Sequence, residues 1–131
     1  MGRHTHLAAD KPDRRRIIFS TRTAGWQRPT QLWLDPTLLT PADLAPLVSD
    51  FHPLQTGLIL GGTTVHDWFH AYAAIDLVKL TIEPVTFGTG LPIFSDQRQS
   101  DPLAVFQTRG YHVQDDRALN PQGTRLITLR A

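Results

Sequence analysis

Three short stretches of the chain carry side chains and backbone suited to holding a phosphorylated ligand. Gly2-Arg3-His4-Thr5 sets a guanidinium and a hydroxyl at the start of a short helical pattern. Ser20-Thr21-Arg22 gives two hydroxyls and a second guanidinium directly after the apolar run Ile17-Ile18-Phe19. Gly61-Gly62-Thr63-Thr64-Val65 gives bare backbone N–H groups and hydroxyls after Leu58-Ile59-Leu60. Each stretch ends an expected strand or opens an expected helix, where backbone amides and the helix dipole favour anions. Ligands of open α/β sheets sit at such carboxyl ends. As an ordered set the three form a cradle for a dinucleotide's pyrophosphate, and Arg3 with Arg22 suit the added charge of an adenosine 2′-phosphate. Taken singly, each has a simpler reading. A Gly-Gly pair is a packing turn, Arg3 a solvated side chain, and Ser20-Thr21 a turn or a cap.

The elements that must position these residues follow from spacing. Leu58 to Leu60 reads as a strand buried on both faces and central to the sheet, with Thr64 and Asp67 as the capping box of a helix reaching Ala74. Val65, Trp68, Phe69 and Tyr72 lie on one side of that helix. Leu7 to Ala9 suits a short helix broken by Lys11-Pro12-Asp13. Arg16 to Phe19 and Gln31 to Leu34 read as strands, with residues 23–29 as loop between them. Thr40-Pro41-Ala42-Asp43 opens another helix, with Leu44, Leu47 and Val48 on one face and His52-Pro53 at its end. Val78 to Glu83 alternates like a strand with one wet face. Gly88-Thr89-Gly90 is a loop able to fold over a ligand or simply to turn. Residues 105–113 and 124–130 read as two further strands, turned by Asn120-Pro121-Gln122-Gly123 into an antiparallel pair. The pattern predicts an α/β domain over 1–131 with a mostly parallel central sheet and an antiparallel C-terminal end.

Bulk properties narrow the partners. The 131 residues carry a net charge of +1 with 40% hydrophobic and 19% charged residues, as in ordinary soluble domains. Such a balance argues against a general nucleic-acid binder, although Arg14-Arg15-Arg16 is a local basic cluster, either a solvated strand edge or a phosphate contact. Without cysteine there is no disulfide framework, thiolate metal site or cysteine nucleophile, which fits the cytoplasm. No apolar run reaches membrane-spanning length.

The three stretches, quoted as Met1-Gly2-Arg3-His4-Thr5, Ile17-Ile18-Phe19-Ser20-Thr21-Arg22 and Ile59-Leu60-Gly61-Gly62, resemble the nucleotide-binding segments of dihydrofolate reductases in order and spacing. Residues 75–85 and Gly88-Thr89-Gly90-Leu91-Pro92-Ile93-Phe94, with Leu119-Asn120 and residues 123–127, are closer to the reductase domain of the bifunctional riboflavin-biosynthesis deaminase-reductase. The resemblance implies a three-layer α/β fold, NADPH as cofactor and hydride transfer to a C=N or C=O bond of a pyrimidine- or pterin-like small molecule. By it, Gly2, Arg3, His4 and Thr5 bind phosphate, Ser20, Thr21 and Arg22 hold the 2′-phosphate end, and Gly61, Gly62, Thr63, Thr64 and Val65 take the pyrophosphate and nicotinamide side. Two positions depart from the dihydrofolate reductase pattern: Thr63 stands for a glycine and His66 for a tyrosine. Those families also place a strand, a flexible loop and a helix ahead of the Gly-Arg-x-Thr segment, and here that segment starts at Gly2. The expectation is an N-terminally truncated relative with weak NADPH binding and little turnover by these residues alone. An edge left open by missing strands would favour self-association, a homodimer among the outcomes. The alternatives are a folate-type reductase and a non-catalytic nucleotide-binding or assembly module.

Other groupings point less far. His66 and His70 are four apart with Asp67 beside them, but a third metal ligand is missing at any telling distance. Asp115 and Asp116 adjoin in an expected turn, where neighbouring carboxylates diverge. Trp26 and Trp33 suit covering the core. No catalytic residue is named by the sequence.

Overall fold

Ile17, Ile18 and Phe19 form the kind of unbroken β-branched and aromatic run that a strand covered on both faces uses, and they make up β1 (Arg16–Phe19). The computed structural model describes residues 1–8, 11, 13–50 and 53–131. It divides into two compact units, Met1–Ala74 with Ile93–Ser95, and Ile75–Pro92 with Asp96–Ala131.

In the first unit β1 runs parallel to β3 (Gln31–Leu34), from Arg16 opposite Gln31 to Phe19 opposite Leu34. The other side of β3 takes β2 (Gly25–Arg28) antiparallel, giving the order β1-β3-β2. Side chains alternate across a strand, so Ile17, Phe19, Leu32 and Leu34 share one face and Ile18 and Trp33 the other. On the first face Phe19, Leu32 and Leu34 cluster with Leu44 of α2 (Leu44–Val48) and Val65 of α3 (Thr63–Ala71), with Trp68, Phe69 and Ile59 packed around them. The Phe19 ring meets Trp68 edge-on at 4.9 Å, and the Trp68 indole donates to Pro36 O at 3.0 Å. On the second face His6, from α1 (Arg3–Ala8), sits edge-on to Trp33 at 5.4 Å. Arg16 Nη1 donates to His6 Nδ1 at 3.1 Å, whereas the buried Trp33 Nε1 has no partner among the described residues.

The second unit is antiparallel throughout: β4 (Leu77–Ile82), β6 (Arg125–Arg130) and β5 (His112–Ala118), in the order β4-β6-β5. Ile127 and Leu129 of the central strand are fully buried, opposite Leu80 and Val78. The turn expected at Asn120 to Gly123 is there, with Gly123 at φ +97°, a conformation that glycine adopts freely. Thr124 Oγ1 donates to Glu83 Oε2 at 2.7 Å and accepts from Asn120 Nδ2 at 2.9 Å, which ties the turn to the residue after β4.

Several expectations are corrected. Leu58 to Leu60 has no regular secondary structure and joins no sheet, and Leu58 is 81% exposed, so it is not the central strand. Apolarity alone does not make a strand where no neighbour supplies a ladder. Residues 23–29 hold β2, whose four residues are all exposed and so lack an apolar signature. Residues 105–113 are not one strand: α4 (Pro102–Gln107) comes first, capped by Asp101, which accepts from Leu103 N at 3.1 Å, with proline at the first position. Asp115 and Asp116 lie in β5 rather than a turn, and Asp116 forms an ion pair with Arg125. Parallel pairing among the described residues is confined to β1–β3 and a Gly2–Phe19 bridge. Thr40 does open a helical segment. Its N and Oγ1 both donate to Asp43, a capping box before the short 3₁₀ turn that leads into α2. Ala9, Pro12 and His52, which bear on the expected ends of α1 and α2, lie outside the described residues.

Candidate functional site

Gly2 touches the glycine turn and Phe19, the residue that leads into Ser20-Thr21-Arg22. Met1 O accepts from Phe19 N at 2.8 Å, and Gly2 forms a parallel bridge with Phe19, so the chain start lies against the carboxyl end of β1. On its other side Gly2 N donates to Gly61 O at 3.1 Å. A Cβ at Gly2 would stand 3.6 Å from Val65 Cγ2 and 4.0 Å from Gly62 N. Residues from all three stretches are therefore neighbours, although Gly2 and Gly61 are far apart in sequence.

Each lobe is shaped locally. Ser20 is buried and its N donates to Leu34 O at 2.9 Å, which continues the β1–β3 ladder by one rung. Ser20 Oγ then accepts from Arg22 N at 3.1 Å, turning the chain so that Thr21 and Arg22 are exposed. Gly61 takes φ +92° and its peptide bond to Gly62 is cis. The expected Thr64–Asp67 capping box is absent. The helix begins instead at Thr63 with Gly62 as its N-cap, and Val65 N and His66 N both donate to Gly62 O. Among the described residues the amides of Gly62 and Thr64 have no backbone partner, as is usual for the first amides of a helix. A Cβ at Gly62 would meet nothing within 4 Å, so open space lies over this turn.

Asp67, freed from capping, accepts from Ser95 N at 3.1 Å, and His66 Nδ1 bonds Ile93 O at 3.0 Å. These two bonds hold the strip 93–95 against α3. Beyond the apolar pair Ile93-Phe94, that strip carries no local signal of its role. Phe94 is 1% exposed.

Arg3 and His4 lie at the start of α1, with Arg3 Nη2 3.4 Å from His4 Nε2; His4 is exposed and Thr5 half-buried. The chain start also carries a perturbed group. The Met1 amine donates to Ile17 O at 2.9 Å, and burial, then the Arg16 guanidinium, pushes its pKa down to about 6. Chemically the junction offers amide donors, hydroxyls and exposed guanidinium, a set matched to phosphate oxygens. Among the described residues no group of three His, Cys, Asp or Glu could hold a metal ion, and no helix is long and apolar enough to cross a membrane.

No family model matches this chain, and no curated protein matches it. Among solved structures it is similar to one from Shewanella sp. PV-4 that is named for riboflavin biosynthesis, with a TM-score of 0.66 and 16% sequence identity. The similarity covers 99% of this chain and 71% of that one. At this identity the likeness establishes a shared fold.

Proposed function

We propose that this chain is a nucleotide-binding reductase module of the riboflavin-biosynthesis type, a three-layer fold that seats NADPH at the Gly2 junction. The observation that carries the reading is the meeting of Gly2 with Phe19, the residue before Ser20, on one side and with Gly61–Gly62 on the other, with open space over Gly62. The name of the Shewanella structure supports the riboflavin branch over the folate one. In this reading the Gly62 and Thr64 amides take the pyrophosphate oxygens, while Arg22 and the Thr21 hydroxyl take the 2′-phosphate. Arg3 and Thr5 border the same phosphates, and Val65 packs beneath the turn to hold its shape. NADPH, once bound, supplies the hydride delivered to a C=N or C=O bond of a pyrimidine-like substrate. What these residues contribute is binding and orientation.

Titration of NADPH against the native chain, followed by tryptophan quenching, tests the seat. Arg22→Ala should weaken binding about five- to tenfold, the ~1–1.4 kcal/mol of one solvent-screened, charge-assisted hydrogen bond. NADH should bind the native chain more weakly and be insensitive to the substitution. Equal affinities for NADPH and NADH, or no effect of Arg22→Ala, would overturn the assignment of the arginine.

A further inference from the structure

His66 stands on the first turn of α3 with its ring fixed on several sides. Nδ1 lies 3.0 Å from Ile93 O. A carbonyl oxygen only accepts, so Nδ1 carries the proton of this bond and Nε2 of the neutral ring holds a lone pair. The Nε2 edge lies over the glycine turn: ring atoms Cε1 and Nε2 are 3.3 and 3.4 Å from where a Gly61 Cβ would stand. Phe94 supports the ring at a centroid distance of 6.0 Å. Nε2 has no hydrogen-bond partner among the described residues. It is also not sealed from solvent, since the buried, unpartnered side-chain atom among those residues is Trp33 Nε1. A bare acceptor thus faces outward at the turn.

The charged surroundings are sparse. On α3 itself Asp67 is engaged with Ser95 N, and the His70 ring meets the same Phe94 at 5.4 Å. Neither the glycine turn nor the strip 93–95 brings an ionisable side chain.

We propose that His66 is a specificity-determining contact of this site, its Nε2 accepting a hydrogen bond from an N–H group of the bound molecule, a carboxamide or amino-heterocycle. The inference rests on the reading of the turn as the seat of NADPH, whose carboxamide is such a donor. A neutral Nε2 repels phosphate oxygens and welcomes N–H, whereas an imidazolium does the reverse. His66 therefore selects which end of a ligand lies beside Gly61, and it does so only while neutral.

Long-range ¹H–¹⁵N spectra of the labelled native chain read this directly. The free protein should show the Nδ1-protonated tautomer for His66, and saturating NADPH should move the Nε2 resonance upfield as it gains a hydrogen bond. His66→Phe keeps a ring against Phe94 and Gly61 but loses the acceptor. It should weaken NADPH binding about fivefold, the worth of one ordinary hydrogen bond. An Nε2–H tautomer in the free protein, an unmoved Nε2 with NADPH bound, or a His66→Phe chain that binds NADPH as tightly as the native one would overturn the inference and leave the seat intact. If the native chain binds no NADPH, the seat itself falls and the inference with it.

Discussion

Gly61→Ala isolates what the turn costs to build. Gly61 sits at φ +92°, and a Cβ there would come within 3.3 Å of the His66 ring. The positive φ alone costs an L-residue about 1–2 kcal/mol. The ring cannot simply rotate away, because Nδ1 is bonded to Ile93 O. Moving it by a few tenths of an ångström weakens a hydrogen bond worth about 0.5–1.5 kcal/mol. Against this, alanine restricts the unfolded chain and returns about 0.4–1 kcal/mol. The net loss should be about 1–2 kcal/mol, read as a lower urea midpoint at constant slope. A double-mutant cycle divides the sum. With His66→Ala the ring is gone and only the φ cost of Gly61→Ala remains, so the two substitutions should couple by about 0.5–1 kcal/mol. Gly62→Ala is the contrast, since its Cβ meets nothing within 4 Å. It should leave stability unchanged or raise it by up to the same ~0.4–1 kcal/mol, while filling the space over the turn and weakening NADPH binding. A neutral Gly61→Ala, or a cycle whose terms simply add, would refute the claim that the His66 ring bears on Gly61.

Two further outcomes follow from other parts of the first unit. In the 131-residue chain with its Met1 amine free, that group titrates near 8.0 when unfolded and about 6 when folded. Between those values the unfolded chain binds the extra proton, so stability rises with pH by at most about 2–3 kcal/mol and is flat in this contribution outside the window. Urea midpoints at pH 5.5, 7 and 8.5 should show the rise and an N-acetylated chain should lack it; parallel profiles would count against a buried amine. Leu58 and Leu60 are 81% and 53% exposed on a segment outside any sheet, and clustered exposed apolar side chains favour association. Sedimentation velocity over a concentration series should show oligomers that Leu58→Lys with Leu60→Lys abolishes; a native chain that stays monomeric would speak against these exposed leucines as an association site.

How far these features could be read from the residues depended on whether the signal was local. β1, β3, β4 and β6 are apolar runs or alternations whose burial follows from composition. Thr40-Pro41-Ala42-Asp43 carries its own capping chemistry, and Asn120 to Gly123 its own turn chemistry. The 105–113 region misleads because Val105 and Phe106 suit either a strand or a buried helix. The deciding signal was Asp101-Pro102, an N-cap followed by proline at the first helical position. β2 has no face to alternate, as all four residues are exposed. Leu58 to Leu60 misled in the opposite sense, since an apolar run records what a segment would bury and not whether a partner is present. The residues of the candidate site were legible in type and order. Their convergence was expected from the rule that ligands of open sheets sit at strand carboxyl ends, whereas the contacts that make it, the Gly2–Gly61 hydrogen bond and the Gly2–Phe19 bridge, join distant parts of the chain and carry no local signal. The roles of Ile93 and Ser95 in holding α3 were likewise out of reach.

The three tryptophans of this chain differ in surroundings, and all three belong to the first unit. Trp33 is sealed with an unpaired indole N–H, Trp68 donates to Pro36 O, and Trp26 is 40% exposed. Their emission should span blue to red, with the Trp33 indole proton slow to exchange with deuterium. The second unit is dark at those wavelengths, so fluorescence reports the melting of one sheet while circular dichroism reports both. Superimposable melting curves from the two methods would mean that the sheets unfold as one cooperative body; a lag between them would measure how independently each half stands.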